Sequence, residues 1–352
     1  MTGKGESIAG CLLGTAVGDA IGLPYEGLSP ERAKKMLGPA NRHRFLFGRG
    51  MVSDDTQHTC MVAQALLSAG TDPARFSRAF AWRLRMWLLG VPAGAGFATL
   101  RAILKLWLGF SPQNSGVFSA GNGPAMRAAI FGAAFDDLEV VRNLVTASTV
   151  ITHTDPKALH GALAIALAAF MSRQAKTVAP GEYLSQLQSY LGDDAKELVS
   201  LVAGVCDSIA ANETTEAFAS RSGLGKGVSG YVLHTVPVVL HAWLRHQREF
   251  APAISEIIAC GGDADTTAAI LGGIIGSAVG PTGIPEAWLD GILEWPANIT
   301  WMRETGSSLA DSLAGKKDMP VPEIWFITTL PRNLLMLIIV LLHGFRRLLP
   351  PY

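Results

Sequence analysis

Apolar residues recur along the chain at the three-and-four spacing of helices, and no stretch sustains the alternation of a half-buried strand. The pattern predicts an all-α chain of about fifteen helices with essentially no sheet. Residues 7 to 23 form the first, with glycines at 10, 14, 18 and 22. Each costs a helix interior about 1 kcal/mol, yet a spacing of four puts them all on one face, where another backbone can approach closely. A second apolar helix, through Ala268-Ala269-Ile270-Leu271 to Val279, carries the same device at Gly272, Gly276 and Gly280. The two are expected at the centre of the fold and tightly packed, each being one candidate partner for the other. Membrane helix pairs use this spacing too, but Asp19 and the flanking polar residues favour a buried helix of a water-soluble core.

Further helices are expected after Ser53, with Cys60, Met61, Ala63, Leu66 and Leu67 on its apolar face, and over 73 to 107, broken by a glycine-rich loop at 90 to 96. Others cover 136 to 150, 156 to 172, 193 to 212 and 234 to 248. No linker interrupts this series, so residues 1 to 315 read as one large domain. Residues 316 to 352 read as an appendage, in which Pro320, Pro322 and Pro331 mark an extended connection. Nine apolar residues follow, Leu334 to Leu342, fewer than the roughly 20 that cross a bilayer. This tail is expected to dock on its own domain or on a second subunit. The alternative is a weak membrane-surface attachment helped by Arg332, Arg346 and Arg347.

Composition narrows the function. The chain has 352 residues, 49% of them hydrophobic, with 29 basic and 29 acidic residues. No overall field draws it to nucleic acid. Cys11, Cys60, Cys206 and Cys260 are widely separated in apolar stretches and read as reduced core thiols of a cytoplasmic protein.

Two acidic clusters carry the candidate chemistry. Asp263-Ala264-Asp265-Thr266-Thr267 follows two glycines at the start of the second glycine-spaced helix. Ser53-Asp54-Asp55-Thr56 opens another helix about two hundred residues earlier. Each alone reads equally as a helix cap. Together they supply four carboxylates and hydroxyls, oxygen donors suited to hard divalent cations, and enough for a two-metal centre. Other features stay open at this level. Glu26 lies on a turn, and Arg42, Arg44 and Arg49 form a basic loop. Gly121-Asn122-Gly123 precedes a helix start and could cradle a diphosphate. His153, on a connection, and Tyr231, beside a glycine, fit ligand contact or plain structural roles.

In chain order, Gly14-Thr15-Ala16-Val17-Gly18-Asp19, Ser53-Asp54-Asp55-Thr56, Gly121-Asn122-Gly123-Pro124-Ala125-Met126-Arg127, His153-Thr154-Asp155-Pro156 and Gly261-Gly262-Asp263-Ala264-Asp265-Thr266 make the sequence resemble the ADP-ribosylglycohydrolase family over about residues 5 to 310. The resemblance implies an all-α fold, a single compact orthogonal helical domain, with two magnesium or manganese ions. Its ligands would be Ser53, Asp54, Asp55, Asp263, Asp265 and Thr266. It further implies Glu26 or Asp55 as the proton-moving group, and substrate contacts at Gly121, Asn122, Gly123, Met126, His153 and Tyr231. The expected activity is release of ADP-ribose from an ADP-ribosylated protein or other acceptor. The alternatives are a nucleotide-binding protein of little activity and a hydrolase of small ADP-ribosyl metabolites. One departure concerns the acceptor: family members often carry an aspartate in the loop where this chain has Gly94-Ala95-Gly96.

Overall fold

The computed structural model describes residues 3–316 and 319–350. Eighteen α-helices lie among them, with isolated bridges but no strand. The excess over the sequence expectation comes from helices of four or five residues, such as Gly123–Met126, Thr215–Ala219 and Glu286–Asp290. Such pieces are too short to leave a period in the sequence.

The first helix, Lys4–Gly22, and the Asp263 helix, Ala264–Val279, form the axis of the molecule. They run antiparallel with their glycine faces in contact. A Cβ on Gly10 would stand 2.1 Å from the carbonyl oxygen of Gly276, one on Gly14 2.1 Å from that of Gly272, and one on Gly18 2.0 Å from that of Ala268. No side chain fits at those distances, so backbone packs directly on backbone. Both helices are buried on all sides, from Ser7 to Gly22 and from Ala264 to Ala278, as their apolar composition all round requires. The helices Asp54–Ala69, Ala129–Ala134 and Ile299–Leu313 pack on the first. Those over Pro156–Gln174, Val232–Arg245 and Phe250–Ala259 pack on the second.

The expected break after Leu89 is present, between helices Pro73–Leu89 and Phe97–Trp107. The tail differs from expectation. Its helix begins at Phe326 and runs to Arg347, with Pro331 inside it, so the extended connection ends at Trp325. At 1.5 Å per residue its 22 residues span about 33 Å, long enough by length and composition to cross a bilayer. Arg332 points into the protein instead of toward a membrane: its guanidinium grips both oxygens of Glu294, at 2.8 and 2.7 Å, and both side chains are almost fully buried. An apolar run flanked by arginines could not reveal this pairing, because Glu294 lies 38 residues away. Lys317, in the stretch read as the boundary of the appendage, lies outside the described residues.

The axis yields a prediction of opposite signs at two glycines. Gly18→Ala forces the helices apart and should cost about 3 kcal/mol or more. Gly204→Ala, in helix Lys196–Ala210 with open space around it, should gain up to about 1 kcal/mol. Denaturant unfolding of both variants checks this, and equal effects would contradict the packing.

Candidate active site

The antiparallel axis places the C-terminal end of the first helix beside the N-terminus of the Asp263 helix: a Cβ on Gly22 would stand 2.5 Å from the carbonyl oxygen of Ala264. One turn earlier, Asp19 is fully buried and ties in the other acidic cluster. Its carboxylate accepts from the backbone N–H of Ser53 at 3.0 and 2.8 Å, from that of Thr56 at 3.2 Å, and from the Thr56 hydroxyl at 2.5 Å. Asp19 thereby fixes the start of helix Asp54–Ala69 against the first helix. Ser53 caps that helix, its Oγ accepting from the Asp55 N–H at 3.2 Å and donating to Asp55 Oδ2 at 3.0 Å.

The two clusters meet at Asp55. The Thr266 hydroxyl donates to Asp55 Oδ2 at 3.1 Å, across 211 residues of sequence. Asp55 Oδ1 and Asp265 Oδ1 are both buried and have no hydrogen-bond partner in the structure. Both carboxyls are held well above the ordinary range by burial, with neighbouring carboxylates adding to it. Burial and the charge of Asp19 push Asp54 up to about 8, and burial pushes Asp19 itself to about 6. Asp263 is raised by burial as well. Its Oδ2 accepts from the Asn122 amide at 2.6 Å, and that amide also donates to Thr235 at 2.9 Å.

Glu26 stands at the exposed rim of this acidic pit. Its turn is pinned to the second cluster by Gly262, whose carbonyl accepts from Gly27 N at 2.6 Å and whose N–H donates to Leu28 O at 2.8 Å. Gly262 has φ +78, and a Cβ there would stand 2.0 Å from the carbonyl oxygen of Val228, so glycine is required. Crowding at the rim and the charge of Asp263 raise the Glu26 carboxyl, while Arg347 of the tail pulls it back.

The remaining candidates line one side. Asn122 N donates to Gly230 O at 2.9 Å, and Gly121 and Tyr231 form a bridge, so the glycine turn and the Tyr231 turn are adjacent. The His153 ring faces that turn: a Cβ on Gly121 would lie 3.1 Å from His153 Nε2, and one on Gly123 3.0 Å from its Cε1. Burial, together with the nearby Arg127, lowers His153 to about 3, so its ring is neutral at pH 7. Arg127 is itself fully buried, donating to the Ser148 hydroxyl and carbonyl and to the Thr152 hydroxyl. The Tyr231 hydroxyl accepts from Lys157 at 3.1 Å. Met126 is buried in the apolar core.

A profile of the ADP-ribosylglycohydrolase family matches residues 2–321. The chain belongs to the ADP-ribosylglycohydrolase family. It is 30% identical over 302 residues to an uncharacterized protein of Archaeoglobus fulgidus, covering 82% of this chain and 92% of that one. It is 26% identical to the ADP-ribosylhydrolase ARH3 of Gallus gallus, over 79% of this chain and 87% of that one. It is 28% identical to the ADP-ribosyl-dinitrogen reductase glycohydrolase of Rhodospirillum rubrum, over 82% and 92%. Among solved structures, a chain of an ADP-ribosylglycohydrolase-related protein complex superposes with a TM-score of 0.66 at 24% identity, over 89% of this chain and all of that one, a likeness of fold. The tail helix lies beyond the family match.

Three residues that the structure brings to the candidate site were not among the candidate site residues of the sequence reading. Asp19 had one available signal, a lone carboxylate inside an otherwise apolar helix, which must find donors. Thr235 and Arg347 gave none, since their roles arise from contacts more than a hundred residues distant. As to a metal, among the described residues no three His, Cys, Asp or Glu groups converge as a ready-made cage. The donor chemistry nevertheless fits a hard divalent cation: every group is an oxygen, and two buried carboxylate oxygens, one from each cluster, are bare.

These raised carboxyls predict a pH dependence for the metal-free protein. The native state keeps protons that the unfolded chain releases near pH 4, so the contribution of these groups to stability falls as pH rises, up to about 6 for Asp19 and about 8 for Asp54, whereas the buried neutral His153 acts in the opposite sense below about pH 6.5. Asp54→Asn should flatten the upper part of that slope by at least ~1 kcal/mol. Thermal melts in chelator between pH 5.5 and 8 test this, and a slope unchanged in the variant would refute it.

Proposed function

We propose that the protein hydrolyses the bond between the anomeric carbon of the distal ribose of ADP-ribose and an acceptor atom, reversing mono-ADP-ribosylation of a protein or other target. The observation that carries this reading is the meeting of the two acidic helix starts at Asp55, where two buried carboxylate oxygens face no partner. Family membership and the likeness to the ARH3 ADP-ribosylhydrolase and the ADP-ribosyl-dinitrogen reductase glycohydrolase support it.

Ser53, Asp54, Asp55, Asp263, Asp265 and Thr266 would hold two magnesium or manganese ions. Bound there, such ions supply a water of lowered pKa and fix ribose hydroxyls. The chain does the rest. Asp19 and Asn122 hold the acidic groups in place, one by anchoring the Ser53 turn and the other by bonding Asp263. The Gly121-Asn122-Gly123 turn, with neutral His153 behind it and Tyr231 beside it, offers the surface for the diphosphate, the ribose and the adenosine. Hydrolysis breaks the anomeric bond, places a water oxygen on the anomeric carbon and delivers a proton to the leaving acceptor. Glu26 suits that proton transfer better than Asp55. Its raised carboxyl stands at the exposed rim, whereas Asp55 is buried and held by the Ser53 and Thr266 hydroxyls.

Release of free ADP-ribose from arginine-, serine- and nucleic-acid-linked substrates, with magnesium, manganese or chelator, tests the reading. Metal-dependent release from one linkage is expected. Asp55→Ala and Asp263→Ala should abolish it with the fold intact, and Glu26→Gln should lower kcat by about 10²–10⁴. Full turnover in chelator would refute the metal reading, and binding of ADP-ribose without product from any linkage would refute the hydrolase.

A further inference from the structure

The tail helix buries one face and leaves the other bare. Inward, Arg332 grips Glu294, Asn333 donates to the Gly90 carbonyl at 2.7 Å, Met336 and Ile339 are buried, and His343 stacks on Phe45 and contacts its carbonyl at 2.8 Å. Outward, Leu334, Ile338, Leu341, Leu342 and Phe345 recur at helical spacing, each more than half exposed. Two turns extend this face. Phe47 is fully exposed at φ +46 and Val91 is 55% exposed at φ +53, left-handed backbone that large or β-branched side chains rarely adopt. They sit beside Phe45 and Gly90, the points where the tail docks. Exposed apolar side chains are thus held, at a conformational cost, next to the two points where the helix docks.

The two segments that form this face carry only basic charge, with Glu26 beside Arg347 and Glu323 just before Trp325 as neighbouring acids. Residues 39 to 53 contain Arg42, Arg44 and Arg49 and no acid, and residues 326 to 350 contain no acid and two arginines, Arg346 and Arg347, besides the buried Arg332 that Glu294 neutralises, although the chain as a whole balances 29 against 29. Arg42, Arg49 and Arg346 are exposed. Trp325 is 73% exposed at the start of the helix, where an interfacial aromatic belongs.

We propose that this face docks on an anionic lipid bilayer, with the tail helix lying in the plane of the interface and the arginines at headgroup level. A spanning helix would have to withdraw Arg332 and leave Glu294 buried and unpaired. Two-fold pairing with a second copy would set this basic rim against its own counterpart. Docking also orients the candidate site. Arg332 donates to the carbonyl of Val52, directly before Ser53, and Arg347 donates to the Pro24 carbonyl beside Glu26. Both the acidic turn and the Glu26 turn are therefore tied to the helix that meets the membrane.

Truncation at Pro331 would also strip Glu294 of its partner, so surface substitution is the cleaner test. Full-length protein is sedimented with vesicles of phosphatidylcholine alone or mixed with phosphatidylserine. Pelleting is expected with the anionic vesicles only, reversed by high salt. Ile338→Glu combined with Leu342→Glu should weaken it at least tenfold while the melting temperature is unchanged. Arg49→Glu with Arg346→Glu, an independent pair on the rim, should weaken it as well. The proposal fails if the protein pellets with no vesicle, pellets equally with neutral ones, stays bound in high salt, or forms a dimer that the Ile338 and Leu342 variant abolishes.

Discussion

Direct backbone contact between two glycine-faced helices is the constraint on which the rest of the molecule depends. With a carbonyl oxygen about 2 Å from each absent Cβ, the register of Lys4–Gly22 against Ala264–Val279 is fixed at Gly10, Gly14 and Gly18. Sliding by one residue would bring side chains into the seam. The antiparallel sense then brings the end of the first helix to the beginning of the second, and Asp19 carries the Ser53 turn to the same place. A rigid seam thus determines where the acidic groups meet.

That meeting is electrostatically expensive. Asp19, Asp54, Asp55, Asp263 and Asp265 are crowded into a largely buried pit with Glu26 at its rim, and each is raised above its ordinary range. Helix N-termini at Asp54 and Ala264 offset part of the repulsion. Hydroxyl and backbone donors offset more, yet Asp55 and Asp265 each retain an unpartnered oxygen. These two oxygens, one from each acidic cluster, are donors of the kind a hard cation takes.

Much of this was legible in the sequence because its signals are local. Glycines four apart give a helix face, and Ser-Asp-Asp-Thr before an apolar run gives a helix start with its donors. Two oxygen-rich helix starts together supplied the expectation that the clusters cooperate, and family motifs in order added to it. What escaped was long-range. Thr266 reaches Asp55 across 211 residues, and nothing in the apolar tail announced that Arg332 faces inward to Glu294. Pro331 read as the end of an extended segment, yet it sits in the second turn of a helix whose docked face compensates for the lost N–H. Tertiary contact overrode the local rule there.

Under the proposed function, two helix starts distant in sequence would act as one cation site. Calorimetric titration of manganese into the wild type, Asp55→Asn, Asp265→Asn and the double variant tests it most directly. The account predicts that either single change weakens binding almost as much as both together. Two independent losses that simply add would contradict it.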